Sequence, residues 1–369
     1  MVKLILLGLL AGALFSSTFI LNEAMSSAGG HWFWSASLRY LFMWLILSLI
    51  IVVPHGFGRI KALSAIFAQH WRFWCLTGSI GFGVFYTGIC YAGDHVAGWV
   101  VAATFMFTVV TSLLVLLAFG QRFDKKFIFY AILVFIGVVL VNVSEGLRAT
   151  AAAALATPSM SEMLLFGALP ALLAAFCYPI GNQLVWQVSY NSRQRMAAEP
   201  FLTVAANDAA DTNDFTTPTI SLPYSHEPAA KIEQQSSKLQ KLISRIPAIE
   251  TDLLQNAFNK VWLMSLGSLP FWLLLGIIVR PEAPSSSQLF NTLLVALLAG
   301  VGATSIFLYA REKAVTSSEV AGVDSTQASE VIFALMGGML FLSNDLPSAM
   351  GLVGIALIIL GLILFAKDG

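Results

Sequence analysis

Three polar residues share one face of an otherwise apolar segment near the carboxyl end of the sequence. Asp324, Gln327 and Glu330 follow one another at intervals of three residues, so in an α-helix each is turned by about 60° from the one before. We call these residues the polar stripe. Charged side chains within membrane segments are costly and are functional hypotheses by default. Because a carboxyl group in a low-dielectric setting takes up a proton readily, the stripe is a candidate site for substrate binding or coupling.

Arg39 is the charged residue that could face the polar stripe. It lies inside another apolar segment, residues 33–53. Its guanidinium could neutralise the stripe, meet an anionic group of a substrate, or form a buried ion pair that only fixes helix packing. The sequence leaves these roles open.

Two asparagines, Asn22 and Asn182, end apolar segments in the phrases STFILNE and YPIGNQ. In YPIGNQ, Pro179 removes a backbone hydrogen-bond donor and Gly181 loosens the turn, so carbonyl groups are freed beside an amide side chain. Such a break exposes hydrogen-bonding groups near a binding site, or it is a simple kink satisfied by neighbouring helices. Both asparagines are candidate binding residues. Glu23, Trp71 and Trp74, near segment ends, are expected at the membrane interface.

The motifs of membrane enzymes and ATP-driven pumps are missing from the sequence. No Walker loop, no Ser/His/Asp arrangement and no metal-ligand spacing stands out. Cys75, Cys90 and Cys177 lie in apolar runs and fit small buried hydrophobic residues. The sequence therefore predicts a protein that is not an enzyme and uses no cofactor or metal, with coupling to protons left open.

The composition is that of a membrane protein. Of 369 residues, 57% are hydrophobic and 11% are charged, against about 45–50% and about 25% in a soluble domain. A chain this apolar cannot cover a water-facing surface, so its exterior must face lipid. The 20 basic and 20 acidic residues cancel, which gives no basic excess to suggest nucleic acid.

The sequence predicts ten transmembrane helices, because a span needs about 20 mainly apolar residues. The sixth and ninth of these spans are long enough to tilt or break. Only Arg148 and Arg280 fall in loops that a cytoplasmic N-terminus would place outside, while Arg39 lies within a span. The positive-inside rule then predicts cytoplasmic N- and C-termini in a bacterial-type inner (plasma) membrane. The ten spans are residues 4–22, 33–53, 73–91, 97–119, 127–143, 163–188, 260–279, 289–310, 317–342 and 347–366.

The two halves of the sequence are related. An offset of 224 residues lays spans three to five on spans eight to ten without a gap, so that Gly78 meets Gly302 and Gly137 meets Gly361. The ordinary alternative is chance, because membrane helices are rich in glycine. Five helices per half is an odd number, so the second copy must run inverted, which is typical of transporters.

The predicted domains are two five-helix repeats, residues 1–145 and 160–369. The second is interrupted by a cytoplasmic, partly disordered insertion at about 190–258. Residues 191–235 are rich in Ala, Asp, Thr, Pro and Ser and predict disorder. Residues 236–256 carry Leu and Ile at helical spacing among basic residues, which indicates either an amphipathic segment on the cytoplasmic surface or a linker with a nascent helix.

Several phrases together resemble the multidrug resistance efflux transporter family of the drug/metabolite transporter superfamily. They are STFILN, GGHWFWSASLRY, YPIGNQ, LGSLPFW and VDSTQASEVIFAL, and the resemblance covers nearly the whole chain except roughly 191–240. It implies ten helices in inverted repeats, a central cavity, and secondary transport without ATP. The small multidrug resistance proteins place a coupling glutamate in the middle of their first helix. Residues 13–17 here hold no acid, so proton coupling would fall to Glu330 or Asp324.

The sequence thus predicts a secondary active transporter that exports small amphipathic drugs or metabolites by alternating access, with or without proton coupling. The alternatives are an uncoupled facilitator for sugars, amino acids or other metabolites, and a non-transporting membrane scaffold or sensor. The expected partners are a small-molecule substrate and the lipid bilayer, without nucleic acid. The substrate, the direction of transport, the coupling ion and the choice between monomer and homodimer stay open.

Overall fold

The computed structural model describes residues 2–119, 125–152, 159–208, 243, 246–249, 251–314 and 317–368. Every regular element in these ranges is a helix, which confirms the prediction of an all-α protein. The helices are α1 (Val2–Ser27), α2 (Trp32–Gln69), α3 (Trp71–Gly93), α4 (Gly98–Ala118), α5 (Lys125–Ala152), α6 (Met160–Ser192), α7 (Ala257–Val279), α8 (Ser286–Ala310), α9 (Ser317–Ser325), α10 (Ser329–Phe341) and α11 (Ala349–Asp368).

Nine helices in the described ranges are long and apolar enough to cross a membrane. They match nine of the ten predicted spans. The predicted ninth span, 317–342, is built from α9 and α10, which are joined by a 3-10 turn at Thr326–Ala328. With 9 and 13 residues, neither helix alone has the length of a span. Nine spans and an integral membrane protein are therefore what the structure supports, and the count of ten stays a prediction.

Two helices extend past the predicted spans. α2 continues beyond residue 53, but Gly56 has φ 69° and ψ 177°, so two helices meet there just after Pro54. The helix of α6 continues as Leu169–Asp208. The prediction of disorder is therefore wrong for residues 191–208, where Arg, Gln, Met, Ala and Glu favour a helix. Residues 209–242 lie outside the described ranges.

The amphipathic segment predicted at 236–256 packs into the protein in its described part. Ile249 and Leu254 are buried in the core, and residues Asp252–Gln255 form a 3-10 helix. Asn259, in the first turn of α7, donates a hydrogen bond to the Leu253 carbonyl at 2.8 Å. The hypothesis of a helix lying on the membrane surface is therefore wrong for these residues, because protein rather than lipid covers their apolar side chains.

Several helix contacts come in matched pairs. α3 packs on α6 and α7, as α8 packs on α1 and α2, and α4 packs on α6, as the α9–α10 pair packs on α1. α2 contacts α7, and α5 contacts α11. Both of these last pairs are antiparallel. Ser144 of α5 lies 2.6 Å from Ser348, just before α11, while Tyr130 hydrogen-bonds Asp368 at the other end.

Close backbone approach brings α3 and α7 together. Trp74 of α3 is fully buried, so its predicted place at the interface is wrong, whereas Trp71 is exposed. One turn further along α3, a methyl group on Gly78 would lie 2.5 Å from the Met264 carbonyl oxygen and 2.6 Å from the Gly267 carbonyl carbon. Only a residue without a side chain fits this contact, which is the membrane-helix use of small residues.

Glu23 ties three segments together at the end of the bundle where α1 finishes. One carboxylate oxygen accepts a hydrogen bond from the backbone N–H of Gly98 at 2.7 Å, and the other accepts from the Asn344 amide at 2.7 Å. Gly98 is the first residue of α4, so its N–H has no partner within the helix, and a negative charge is favourable there. Glu23 is 9% exposed. It lies inside the protein rather than at the interface that the sequence suggested.

Substitution of Gly78 by alanine should destabilise the protein. The added methyl group would press on the backbone of α7, and overpacking of this kind costs about 1–3 kcal/mol. We expect a lower temperature of unfolding in detergent, measured by fluorescence. Gly58→Ala is the matched control, because no atom lies within 4 Å of its added carbon. Equal unfolding temperatures for the two variants would contradict the close contact.

Glu23→Gln should also lower the unfolding temperature. A glutamine amide offers one acceptor where two donors arrive, so either Gly98 or Asn344 loses its partner. Leaving a buried donor unsatisfied costs about 1–3 kcal/mol. Glu282→Gln, at an exposed residue, tests whether any lost carboxylate has this effect. An unfolding temperature for Glu23→Gln that matches the control would show that these hydrogen bonds contribute little.

Candidate functional site

A large cavity lies between the helices. Its volume is about 1110 Å³, slightly above the roughly 300–1,000 Å³ of common small-molecule sites, so a small solute fits in it. Residues from α1, α2, α3, α4, α6, α7, α8, α9, α10 and α11 line it, as does the 3-10 turn. In the described ranges, α5 is the long helix that contributes no lining residue.

All three residues of the polar stripe line this cavity. Asp324 lies in the last turn of α9, Gln327 lies in the 3-10 turn, and Glu330 lies in the first turn of α10. A 3-10 helix has three residues per turn, so side chains at intervals of three stand in line. The turn therefore aligns the stripe more closely than a regular α-helix would.

Hydroxyl side chains explain why the helix changes type here. Ser325, Thr326 and Ser329 each donate a hydrogen bond to the carbonyl three residues earlier, at 2.8, 2.6 and 2.5 Å. Such bonds compete with the regular helical ladder and bend it. On the side away from the cavity, Gly8 and Gly12 of α1 leave room for Thr326 and Ser329. The sequence STQAS and two glycines thus position the stripe.

Arg39 lines the same cavity without a carboxylate partner. One terminal nitrogen of its guanidinium donates to the Thr18 hydroxyl at 3.2 Å. The guanidinium carbon lies 4.2 Å from the centre of the Tyr86 ring and 5.9 Å from that of Tyr40. In the part of the chain that the structure describes, no carboxylate oxygen lies within the 4.0 Å of an ion pair. The ion pair with the stripe is therefore not formed in this conformation.

The surroundings of Arg39 offset its burial without a negative charge. A desolvated cation over an aromatic ring gains about 2 kcal/mol, and one hydrogen bond from a charged group about 1.5–3 kcal/mol. Taking a guanidinium out of water costs several kcal/mol. The Nε–H group of Arg39 is buried and has no acceptor among the described residues. The guanidinium therefore remains short of a negative partner.

The two asparagines have different positions. The Asn22 amide donates to the Tyr86 hydroxyl at 3.2 Å and is buried, so it holds the ring beneath Arg39 and does not itself line the cavity. Asn182 lines the cavity and is exposed to it. The structure thus brings Asn182, Arg39 and the polar stripe to one cavity, with Asn22 behind its wall.

Aromatic rings form much of the cavity wall, and the sequence reasoning did not single them out. Tyr40 stacks on Phe82 at 4.7 Å, and Phe85 lies 5.1 Å from Tyr178. Tyr178, Glu330 and Arg39 all line the cavity. These rings belong to different helices and come together only in the folded protein. The periodicity within one segment therefore could not identify them.

The cavity reaches one end of the bundle and stops short of the other. Its lining includes Ala257 and Lys260 in the first turn of α7, and Phe365 and Ala366 in the last turn of α11. None of its lining residues lies in the segments 28–31, 94–97 or 342–348, which surround Glu23 at the opposite end. There, Gln288 of α8 donates to the His31 carbonyl at 2.8 Å and to the Ser35 hydroxyl at 3.0 Å.

Known proteins resemble the chain over most or nearly all of its length. "Uncharacterized protein YjlA" of Bacillus subtilis (strain 168) is 28% identical over 378 residues, which cover 98% of this chain and 94% of the relative. An "Uncharacterized 42.1 kDa protein in intracellular alkaline protease 3'region" of Shouchella clausii is 28% identical over 323 residues, with 84% of this chain and 65% of the relative covered. One solved crystal structure has a TM-score of 0.53 at 12% identity and covers 99% of this chain and 96% of its own. That likeness concerns the fold alone.

A family profile settles the relationship that the sequence phrases suggested. The family described as "EmrE: Putative multidrug resistance efflux transporter" matches residues 2–368, that is, the polar stripe, Arg39 and every described helix. The chain therefore belongs to the EmrE-like multidrug resistance efflux transporter family of membrane transporters.

Proposed function

We propose that the protein is a secondary active transporter that exports small amphipathic solutes by alternating access and couples export to protons. The observation that carries this proposal is the central cavity, because ten helical elements from both halves of the chain line it. Two carboxylates, an arginine and a wall of aromatic rings face a solute-sized space. A scaffold or sensor has no need of such a cavity, so the arrangement favours transport over that alternative.

The helix packing supports two inverted repeats, with the boundaries 1–145 and 160–369. The matched contacts exchange α1 with α6, α2 with α7, α3 with α8, and α4 with the α9–α10 pair. The partners α2 and α7, and likewise α5 and α11, pack antiparallel, as copies of opposite orientation would. α4 is also interrupted, at Met106 and Phe107, within about one helical turn of the position that corresponds to the 3-10 turn.

The position of the cavity supports an inward-facing conformation. In our proposal both termini are cytoplasmic, so the turns near Glu23 lie outside and the first turn of α7 lies inside. The hydrogen bonds of Glu23 to Asn344, and of Gln288 to His31, then join the two halves as an outer gate. Transport requires these contacts to separate while the opposite end closes, which is the exchange of states between related halves.

Glu330 is the residue to which we assign proton coupling. Its carboxyl group lines the cavity, and no described residue donates a hydrogen bond to it or pairs with it. A carboxyl group without a counter-charge, in a cavity among apolar helices, tends to hold a proton. It can release this proton when a cationic or polar solute binds beside it. Asp324 and Gln327 extend the same polar surface toward the inner end, and Asn182 on α6 of the same half lines the cavity as a further hydrogen-bonding group.

The Glu330→Gln variant tests transport and coupling together. We would reconstitute the purified protein in liposomes and record the internal pH when lipophilic cations, amino acids or nucleosides are added, with tracer uptake in parallel. The natural chain should move protons in a solute-dependent manner. Glu330→Gln should abolish this proton movement, because an amide binds no proton near neutral pH.

Asp345→Asn is the matched control. Asp345 pairs with Arg148 at 3.2 Å outside the cavity and is well exposed, so its loss should leave proton movement unchanged. Proton movement that persists in Glu330→Gln would remove Glu330 from the coupling path. Tracer uptake by the natural chain without proton movement would instead identify an uncoupled facilitator.

A further inference from the structure

We propose that Arg39 forms an anion-binding subsite in the cavity wall, which takes the carboxylate of a small substrate with an aromatic body. This inference rests on the proposed function in one respect, since it treats the cavity as the substrate site. It goes beyond that function by naming a substrate class and the residue that selects it.

Arg39 is a buried cation, and at least one of its N–H donors has no acceptor among the described residues. Its side chain carries five N–H groups; one donates to the Thr18 hydroxyl at 3.2 Å, and the guanidinium also interacts with the Tyr86 side chain. The residue is 8% exposed and lines the cavity, and its Nε–H is buried without an acceptor among the described residues. A guanidinium with an unused donor in an aromatic wall is suited to binding a planar carboxylate, which it can meet through two parallel hydrogen bonds.

The protein does not supply the missing anion at this position. Asp324 and Glu330 line the same cavity, yet neither pairs with Arg39 in the described structure. Asn22 and Tyr86 support the guanidinium from behind, the first by holding the hydroxyl of the second at 3.2 Å. Arg39 is thus held in place facing open space, as a binding group is, rather than closed into an internal ion pair.

The charge at this wall suits a single carboxylate. The other cation that lines the cavity, Lys260, lies in the first turn of α7 and interacts with another part of the chain. One guanidinium balances one negative charge, and the carboxylates of the polar stripe repel a second. A dianion such as a phosphate monoester would therefore be poorly matched.

The surroundings of the guanidinium favour an aromatic body. Tyr40 and Tyr86 lie next to Arg39, with their ring centres 5.6 Å apart, and Phe82 stacks on Tyr40 at 4.7 Å. Phe85 and Tyr178 continue this surface into the cavity. Tyr40 and Tyr86 are buried, whereas Phe85 and Tyr178 are more exposed. An incoming ring would therefore meet Phe85 and Tyr178, and such aromatic pairs gain stability beyond simple burial.

The test compares two compounds that differ only in charge at one end. 3-Phenylpropionate carries a carboxylate, and 3-phenylpropanamide replaces it with a neutral amide of similar shape. Binding to the full chain in lipid nanodiscs would be measured by calorimetry at neutral pH, with phenethylamine as the cationic counterpart. The natural chain should bind the acid roughly tenfold or more tightly than the amide, as a charge-assisted hydrogen bond predicts.

Arg39→Gln should bring this acid-to-amide ratio close to one while the affinity for the amide stays unchanged. Unchanged amide binding also shows that the variant is folded. Lys260→Gln, which removes the other cation that lines the cavity, should keep the preference for the acid. A preference that falls equally in both variants would mean that overall positive charge, and not a subsite at Arg39, attracts the anion.

Three further results would overturn the proposal: equal binding of acid and amide by the natural chain, tighter binding of phenethylamine than of the acid, or no binding of any of the three compounds. Transport is judged separately, by tracer uptake into liposomes. An Arg39-dependent preference for the acid without uptake would leave the subsite standing and reject the transport function.

Discussion

The absence of water from the hydrocarbon core is the constraint on which the rest of this structure depends. Backbone N–H and C=O groups there must find partners within the protein, so every span is a helix, and irregular backbone is tolerated only where it lines a cavity or is covered by protein. Two interruptions of the helices follow this rule. Gln327 in the 3-10 turn and Met106 at the break in α4 both line the cavity, so the irregular segments face the interior.

The same constraint explains which features could be predicted from the sequence. Apolar runs of about 20 residues need no knowledge of tertiary structure, and nine spans were found in this way. The interruption of the ninth predicted span depends on Ser325, Thr326 and Ser329 bonding to the backbone, which spacing alone does not reveal. The helix continuing to Asp208 was missed because the polar composition of residues 191–208 resembles that of a disordered segment. The burial of Ile249 was missed because it depends on packing against distant parts of the chain.

The candidate site was predicted in part. Charged or amide side chains on apolar segments are conspicuous, and Arg39, Asn182 and the polar stripe do line one cavity. The aromatic wall and the tie of Asn22 to Tyr86 join residues that lie far apart in the chain, so no single segment signals them. Glu23 was misjudged for a related reason. Its partners, Gly98 and Asn344, come from different helices, and only the fold makes the end of α1 an interior position.

The two proposed repeats pack alike but differ in the polarity of corresponding residues. Under the proposed repeat, the counterparts of Asp324, Gln327 and Glu330 are Val100, Ala103 and Met106. Val100 and Ala103 are buried in the core, so this position packs well with apolar residues and does not require charge for the fold. In the proposed alternating-access cycle, the inward- and outward-facing states would have similar energies because the packing is alike in both halves. In the proposed cycle, the acids on one half and Arg39 on the other supply the polarity that would orient a solute between them.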